Sequence, residues 1–251
     1  MSTAALFLVE QLPAGGRLLL DGPEGRHAAT VRRVRPGERV LLGDGCGGLA
    51  GGEVVAVRSG AVELTISDRR VVEPPSPRVT LAQALIKGDR GELAVELATE
   101  AGVDAIVPWR AARCVARWDD GPRGDRALAR WRSTAREAAK QARRPWIPRV
   151  DGPASTSVLV RRVQAAAGAL VLHESAGTAL VDVAIPTQGE LLVVVGPEGG
   201  IAESEIEALS AAGACPVQLG PEILRASTAA AVTLGALGVL TDRWAEREIT
   251  H

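Results

Sequence analysis

The 251 residues are 46% hydrophobic and 24% charged with a formal net charge of −1, a balance that is typical of a globular chain and excludes a disordered one. No apolar run approaches the roughly 20 residues of a transmembrane helix, and Met1–Leu12 lacks the basic start and long apolar stretch of a signal peptide, so neither membrane association nor secretion is expected. Cys46, Cys114 and Cys215 are odd in number and far apart, which argues against a disulfide framework or a CxxC metal motif and predicts a reducing, cytoplasmic setting.

The first 72 residues have the pattern of a small β-barrel. Strands are predicted over Arg17–Asp21, Glu38–Leu42, Glu53–Val57 and Ala61–Ile66, with a helix over Arg26–Val34. The last two strands should form a hairpin around Ser59-Gly60. Three prolines follow within residues 73–78, and because proline continues neither a sheet nor a helix interior, we expect this stretch to be a linker between two domains.

Residues 79–251 alternate between short apolar strands and helices, which predicts an α/β domain with a parallel sheet. The strands are expected at Val79–Leu85, Asp104–Trp109, Leu170–His173, Leu191–Val195 and Pro216–Leu219, and the helices at Asp89–Ala101, Asp125–Ala142, Ser155–Ala167, Glu203–Ala212 and Ser227–Trp244. The run Leu191–Val195 is apolar throughout, as in a central strand that is covered on both faces.

The second of these helices lies in a basic segment. Residues 104–149 contain twelve Arg and Lys against five Asp and Glu, whereas residues 151–251 contain five against twelve. A basic segment is typical of a polyanion-binding surface, but a solvated, arginine-rich helix explains it equally well. Because aromatic residues make up only 2% of the chain, we expect any nucleic acid to be recognised by shape and backbone charge rather than on an aromatic stacking platform.

Two loops stand out because ligands bind at the carboxyl ends of the strands in such sheets. The first is Gly196-Pro197-Glu198-Gly199-Gly200, whose spacing matches neither the dinucleotide-binding GxGxxG pattern nor a phosphate-binding P-loop. The second is Leu219–Arg225, with two apolar side chains and several backbone amides that could hold a flat, neutral ring. A tight strand-to-helix turn and core packing of Ile223 and Leu224 are the alternatives.

Taken together, the two loops resemble the RsmE family of 16S ribosomal RNA uridine N3-methyltransferases, which belongs to the SPOUT superfamily. The paired motifs G-P-E-G-G-I-x-x-x-E-I and L-G-P-x-I-L-R-x-x-T-A carry the likeness. It extends to His27–Arg33 with Pro36-Gly37-Glu38, to Leu81–Gly88, to Glu100–Asp104 with Ile106-Val107-Pro108, and to Glu137–Arg144 followed by Ile147-Pro148. The resemblance therefore covers nearly the whole chain.

This resemblance implies an α/β fold, with a small N-terminal PUA-like β-barrel at 1–72 and a C-terminal SPOUT domain at 79–251 that contains a trefoil knot. It also implies a homodimer that uses S-adenosylmethionine, and no metal, to methylate N3 of a uridine in small-subunit ribosomal RNA. By position, the cofactor-binding residues would be Leu172, His173, Glu174, Gly196, Pro197, Gly199, Gly200, Leu219, Gly220, Pro221, Ile223, Leu224 and Arg225. The alternative is a non-catalytic RNA-binding or ribosome-assembly protein with the same fold, which would be expected to have lost cofactor binding.

Candidate RNA-contacting and catalytic residues are suggested by their charge and by their positions in the motifs that resemble the family. RNA contacts are expected from His27, Arg32, Arg33, Arg110 and Arg113, although surface solvation explains the arginines and packing explains His27. For catalysis, Arg225 and Arg144 are the candidates for orienting the uracil or a nearby phosphate, and Glu198 is the candidate for accepting a proton. The alternative for Glu198 is a carboxylate that is stabilised by the dipole of the next helix.

The chain departs from the family pattern at two positions. Ala202 stands where the family commonly has Ser or Thr, and alanine is a poor helix cap that costs about 1 kcal/mol. Ser227 stands where glutamate is common, so a glutamate cannot be essential there. Both changes leave the glycines of the two loops in place, and cofactor binding is still expected.

Overall fold

The computed structural model describes residues 4–245 and the backbone of Ile249 and Thr250, and it divides into two compact units. The first unit contains the chain up to Pro74 together with Ala139–Ile147, and the second contains Pro75–Ala138 and Pro148–Ala245. The sequence had assigned residues 139–147 to the second domain. They pack in the first unit because their polar groups find partners there: the indole Nε1 of Trp146 donates to the carbonyl of Val72 at 2.8 Å.

The first unit is a six-stranded sheet around its own apolar core. Its strands are β1 (Ala5–Leu8), β2 (Gly16–Leu20), β3 (Arg39–Gly43), β4 (Gly48–Arg58), β5 (Ala61–Val72) and the backbone pair β13 (Ile249–Thr250). The order is β1-β3-β4-β5, with β2 and β13 both paired to β5, and only β1 and β3 run parallel. Phe7, Leu42 and Leu64 are buried at its centre. Helix α1 (Gly22–Arg26) continues into a π-helical turn over His27–Arg32.

The second unit is built on seven parallel strands. They are β6 (Arg78–Ala84), β7 (Ala105–Arg110), β8 (Arg149–Val150), β9 (Ala154–Ser155), β10 (Gly168–Leu172), β11 (Glu190–Val195) and β12 (Cys215–Val217). The order is β12-β10-β11-β6-β7, and both β8 and β9 pair with β7. The predicted parallel α/β sheet is therefore confirmed, and the apolar run at β11 lies between two parallel neighbours.

Helices cover this sheet on both faces. They are α2 (Arg90–Glu100), α3 (Pro122–Gln141), α4 (Thr156–Ala165), α5 (Glu203–Ala211) and α6 (Ala229–Leu240). Because side chains alternate along a strand, Leu191, Val193 and Val195 of β11 join a cluster with residues of α2, α3 and α6. Leu192 and Val194 join a second cluster with residues of α4 and α5. The continuous hydrophobicity of β11 follows from this two-sided burial.

Helix α6 is shorter than the sequence predicted. The prediction, from about Ser227 to Trp244, is wrong at the C-terminus, because the helix begins at Ala229 and already stops at Leu240. Thr241 is extended, and a short 3-10 turn follows at Asp242–Trp244. Buried Arg243 explains the break: its guanidinium donates to Asp104 at 2.8 Å and to the carbonyls of Pro77 and Gly102. These partners hold the chain away from the helical path.

The described residues contain neither a membrane-spanning helix nor a metal-binding cluster. Among residues 4–245, none of the helices combines the length and the apolar character required to cross a bilayer. In the same part of the chain, no three His, Cys, Asp or Glu side chains are grouped so that they could hold a metal ion.

Candidate active site

Three neighbouring strands bring the two glycine-containing loops to one edge of the sheet. β10 pairs with β11 on one side and with β12 on the other, all three running parallel. The chain therefore leaves these strands at the same edge, in loops that begin at His173, Gly196 and Gln218. This is the edge at which α/β sheets usually bind their ligands.

A cavity lies at this edge. Its lining residues are Leu172, His173, Glu174, Val195, Gly196, Pro197, Gly200, Ile201, Val217, Gln218, Leu219, Gly220, Glu222, Ile223, Leu224, Ala226 and Ala229. Ten of the thirteen residues proposed from the sequence are among them, and the other three, Gly199, Pro221 and Arg225, are not. The structure thus brings most of the proposed cofactor-binding residues together.

Sequence reasoning missed the remaining lining residues for a simple reason. Val195 and Val217 are the last residues of β11 and β12, and Ala229 is the first residue of α6. They follow from the positions of strand and helix ends, which a motif does not specify. Gln218 could have been found as the polar residue that directly follows an apolar strand.

The glycines of the first loop are needed for different reasons. Gly200 has a φ of +73°, which side-chain-bearing residues rarely adopt. A Cβ on Gly196 would lie 2.6 Å from Cγ1 of Ile201, so no side chain fits there. The loop is closed by the N–H of Gly200, which donates to the carbonyl of Pro197 at 3.0 Å. These contacts fix the backbone that borders the cavity.

In the second loop, Leu219–Arg225, some apolar side chains pack against the core and one is exposed. Leu219 and Leu224 are half-buried against the main core cluster, whereas Ile223 is 81% exposed. The alternative of core packing therefore holds for Leu224 and not for Ile223. Gln218 ties this loop to the one after β10, because its Nε2 donates to the carbonyl of Glu174 at 3.2 Å. Two leucines, backbone groups and an amide thus surround one cavity.

The three catalytic candidates lie in different settings. Glu198 is exposed and accepts a hydrogen bond from the backbone N–H of Lys87 at 3.2 Å, so its partner is this amide rather than the first turn of α5, which begins at Glu203. Arg225 is exposed, and its carbonyl accepts from the N–H groups of Thr228 and Ala229 at the start of α6. Arg144 belongs to the first unit and does not line the cavity.

Buried Glu205 joins three segments beside the first loop. Its Oε1 accepts from the N–H of Ala112 at 3.0 Å and from Oγ1 of Thr156 at 2.7 Å, and its Oε2 accepts from the N–H of Ala202 at 3.3 Å. Ala202 is the N-cap residue of α5 and has no side-chain acceptor of its own. The alanine cap that the sequence predicts to be poor is therefore compensated in part, because Glu205 in the first turn accepts from the backbone N–H of Ala202.

Cys114 lies in the loop after β7, near the same carboxylate. Burial raises the pKa of its thiol above the ordinary value, and the negative charges of Glu205 and Glu198 add to the shift. Hydrogen bonds from the backbone of Ala111 and Leu85 oppose the shift in part. The thiol is therefore kept protonated and unreactive near neutral pH.

The residues predicted to contact RNA are spread over both units. In the second unit, Arg113 donates to the carbonyl of Gly199 at 3.3 Å, which places it beside the glycine loop, and Arg110 pairs with Asp120 at 2.8 Å. In the first unit, Arg32 and Arg33 are exposed in the segment that ends the π-helical turn. His27 packs edge-to-face on Phe7, with 6.2 Å between the ring centroids. This contact agrees with the alternative that His27 has a packing role rather than an RNA contact.

Comparison with known proteins gives two family matches. A family described as the RNA methyltransferase domain matches residues 73–238, and one described as the RNA methyltransferase PUA domain matches residues 20–67. The chain is 56% identical over 246 residues to ribosomal RNA small subunit methyltransferase E of Mycobacterium bovis, covering 96% of this chain and 94% of that one. It is 31% identical to the protein of the same name from Bacillus subtilis, covering 93% and 94% of the two chains.

Solved structures agree with these matches. The structure of ribosomal RNA small subunit methyltransferase E from Neisseria gonorrhoeae bound to S-adenosylmethionine has a TM-score of 0.83 and 29% identity, over 95% of this chain and 98% of that one. A methyltransferase from Legionella pneumophila, in complex with the same cofactor, has a TM-score of 0.82 and 28% identity over the same shares of the two chains. Both likenesses span the two units.

Proposed function

Because the chain belongs to the ribosomal RNA small subunit methyltransferase E family, we propose that it transfers a methyl group from S-adenosylmethionine to N3 of a uridine in 16S ribosomal RNA. The observation that carries the proposal is the cavity at the ends of β10, β11 and β12, which ten residues of the two glycine-containing loops and the loop after β10 surround. Solved structures similar to this chain over both units hold S-adenosylmethionine.

The residues of the cavity fit this cofactor. The adenosine group of the cofactor needs apolar contact for its ring and hydrogen bonds for its polar edge, and the cavity offers Leu172, Leu219 and Leu224 beside backbone groups and Gln218. At Gly196 the backbone borders the cavity where a Cβ would clash with Ile201. When bound, the cofactor would supply an electrophilic methyl group on a sulfonium.

In the proposed mechanism, the protein mainly positions the reacting groups. In-line displacement needs the uracil N3 close to the methyl group, and proximity of this kind can supply most of the acceleration. Arg225, next to the cavity-lining Leu224, would stabilise the negative charge that develops on a uracil oxygen. Glu198, exposed on the first loop, would accept the N3 proton, and Arg144 would orient the RNA.

Three further properties belong to the same proposal. The cofactor-binding segment would be threaded as a trefoil knot, and the enzyme would act as a homodimer in the cytoplasm, where ribosomes are assembled. Helix α6 supports the dimer, because Val232, Val239 and Leu240 are exposed on it and the adjoining Trp244 is 58% exposed. RNA would be held through Arg32 and Arg33 of the first unit and Arg110 and Arg113 of the second, with His27 as a packed neighbour.

Nucleoside mass spectrometry of 16S ribosomal RNA tests the proposal. RNA from cells that lack the gene should lose one N3-methyluridine, and a plasmid-borne wild-type copy should restore it. Calorimetry of the purified protein with S-adenosylmethionine distinguishes the methyltransferase from the alternative, a non-catalytic RNA-binding protein. The methyltransferase should show saturable heat of cofactor binding, and the non-catalytic protein should show none. An unchanged nucleoside profile together with no cofactor binding would overturn the proposed activity.

A further inference from the structure

A second cavity of the second unit lies beside the N-terminal half of α3. It is bordered by the start of α2, by residues 115–119 and by the first half of α3, and it shares no lining residue with the cavity at β10, β11 and β12. Its volume is about 650 Å³, within the range of roughly 300–1,000 Å³ that small-molecule sites occupy. This volume is more than enough for a single nucleotide.

Arginines dominate the wall of this cavity. Arg117, Arg123, Arg126 and Arg130 line it, and Arg130 is paired with Glu92 at 3.1 Å. The other three guanidinium groups form no hydrogen bond or ion pair with any residue in the described part of the chain. Asp89 and Asp119 also line the cavity, but neither lies within ion-pair distance of these arginines. Three exposed guanidinium groups therefore border one space and pair with no residue in the described part of the chain, and a phosphate group would give them a shared acceptor.

An aromatic wall accompanies the arginines. Trp118 and Trp131 meet edge-to-face, with 4.9 Å between their ring centroids. Trp131 is only 2% exposed and is thereby fixed, whereas Trp118 is half-buried and keeps part of its indole accessible. An accessible, immobilised indole is a surface on which a base can stack.

The buried indole also has an unused donor. The side chain of Trp131 is buried, but its Nε1 donates to no residue among 4–245 and is not one of the fully enclosed polar atoms without a partner, so it is open to the space beside it. This atom lies beside Gly91, where an added Cβ would be 3.1 Å from it. Gly91 itself lines the cavity, so the absence of a side chain there leaves space in which a ligand oxygen could accept from this donor.

From these three observations we propose that the cavity binds one nucleotide of the RNA substrate, at a place separate from the methylated uridine. Arg117, Arg123 and Arg126 hold its phosphate, and the base stacks on Trp118. Nε1 of Trp131 donates to an oxygen of the base or of the ribose. The inference rests on the proposed function, and it adds a single stacking residue to a chain whose composition excludes an extended aromatic platform.

Salt dependence tests the arginines. Small-subunit ribosomal RNA from cells that lack the gene is titrated with the wild-type protein and with Arg123→Ala/Arg126→Ala over a range of salt concentrations. Each lost phosphate contact flattens the plot of log affinity against log salt by roughly 0.7–0.9, and because the three arginines share one phosphate, the double variant should lose up to about this much slope. Arg161→Ala is the matched control, because this exposed arginine lies on α4, on the opposite face of the sheet, and pairs with no residue among 4–245.

Fluorescence tests the stacking residue. RNA binding should quench the wild-type tryptophan emission, and Trp118→Phe should lose most of that quench while retaining most of the affinity. Trp118→Ala should bind roughly five- to a hundred-fold more weakly with an unchanged salt slope, since stacking on an aromatic side chain is not an ionic contact. The phenylalanine variant keeps the test valid if the alanine variant fails to fold.

The outcomes separate this inference from the proposed activity. An unchanged slope in the double arginine variant, or an unchanged quench in Trp118→Phe, overturns the nucleotide site even if the protein methylates RNA. Cofactor binding by calorimetry reports on the other cavity and should be the same in all these variants. If free uridine monophosphate at millimolar concentration, and not RNA, depends on the same residues, the site binds a free nucleotide and the proposal is wrong.

Discussion

At the scale of single residues, Gly220 offers the sharpest test of the cofactor cavity. Unlike Gly200, it does not have a positive φ, and an added Cβ would lie 3.6 Å from Oε2 of Glu222, an ordinary contact. A side chain at Gly220 therefore fits the fold but occupies the cavity that this glycine lines. We expect Gly220→Val to weaken S-adenosylmethionine binding roughly tenfold or more, with the melting temperature nearly unchanged, as measured by calorimetry and thermal unfolding.

Gly177→Val is the matched control, because Gly177 is exposed, has open space around it and does not line the cavity. It should bind the cofactor as the wild type does. Equal affinity in both variants would place the cofactor elsewhere in the molecule.

Cys114 and Cys46 should differ in reactivity. Only a thiolate is alkylated rapidly, and the raised pKa of Cys114 delays its ionisation to a pH above that of an ordinary cysteine. Cys46 is exposed, whereas Cys114 is half-buried. At pH about 8.5, we expect iodoacetamide to modify Cys46 first, with Cys114 following only as the pH rises further, and peptide mass spectrometry measures the two rates. Faster modification of Cys114 would contradict the protonated, buried thiol described above.

At the scale of secondary-structure elements, Glu205 should decide the stability of the region around α5. Truncation leaves the N–H groups of Ala112 and Ala202 and the hydroxyl of Thr156 without their acceptor. Since hydrogen bonds to a charged group contribute about 1.5–3 kcal/mol each and are not additive, we expect Glu205→Ala to lower the free energy of unfolding by about 3 kcal/mol. Urea denaturation measures this change.

Glu203→Ala provides the comparison. Glu203 is also in the first turn of α5, but it is exposed and its carboxylate forms no hydrogen bond or ion pair with the residues that the structure describes. Glu203→Ala should lower the free energy of unfolding by less than about 1 kcal/mol, because it removes only the favourable interaction of the carboxylate with the helix dipole. Similar losses in the two variants would mean that the bonds of Glu205 contribute little.

The elements also show which features local sequence can predict. Regular periodicity, together with the glycines that follow helices, predicted α2, α4 and α5 to within two residues of their observed bounds. The end of α6 could not be predicted, because it depends on Arg243 reaching Asp104, which is 139 positions away in the chain. The partners of Glu205 are 49 and 93 positions away, so the motif predicted a glutamate and not its contacts. For the same reason the motifs located the loops of the cavity but not Val195, Val217 and Ala229.

At the scale of the whole molecule, the homodimer can be tested directly. Light scattering at micromolar concentration should give twice the chain mass of 26.1 kDa. Val239 is 78% exposed on α6, and a charge there would have to be buried in the proposed interface. Val239→Glu should therefore shift the protein towards the monomer, whereas Val55→Glu, at an exposed position on β4, should leave the mass unchanged. A wild-type mass near that of one chain would overturn the dimer.

The strand order of the second unit has a consequence for how the chain acquires its structure. β6 and β11 are adjacent in the sheet, yet Thr80 and Glu190, which share a hydrogen bond across this pair, are 110 positions apart. Closing so long a loop slows folding, and the apolar β6 cannot gain this partner during translation until residue 195 has left the ribosome. Until then β6 exposes an unpaired edge, which is the kind of surface through which nascent chains aggregate. This arrangement makes the newly made protein a candidate for protection by chaperones until its sheet is complete.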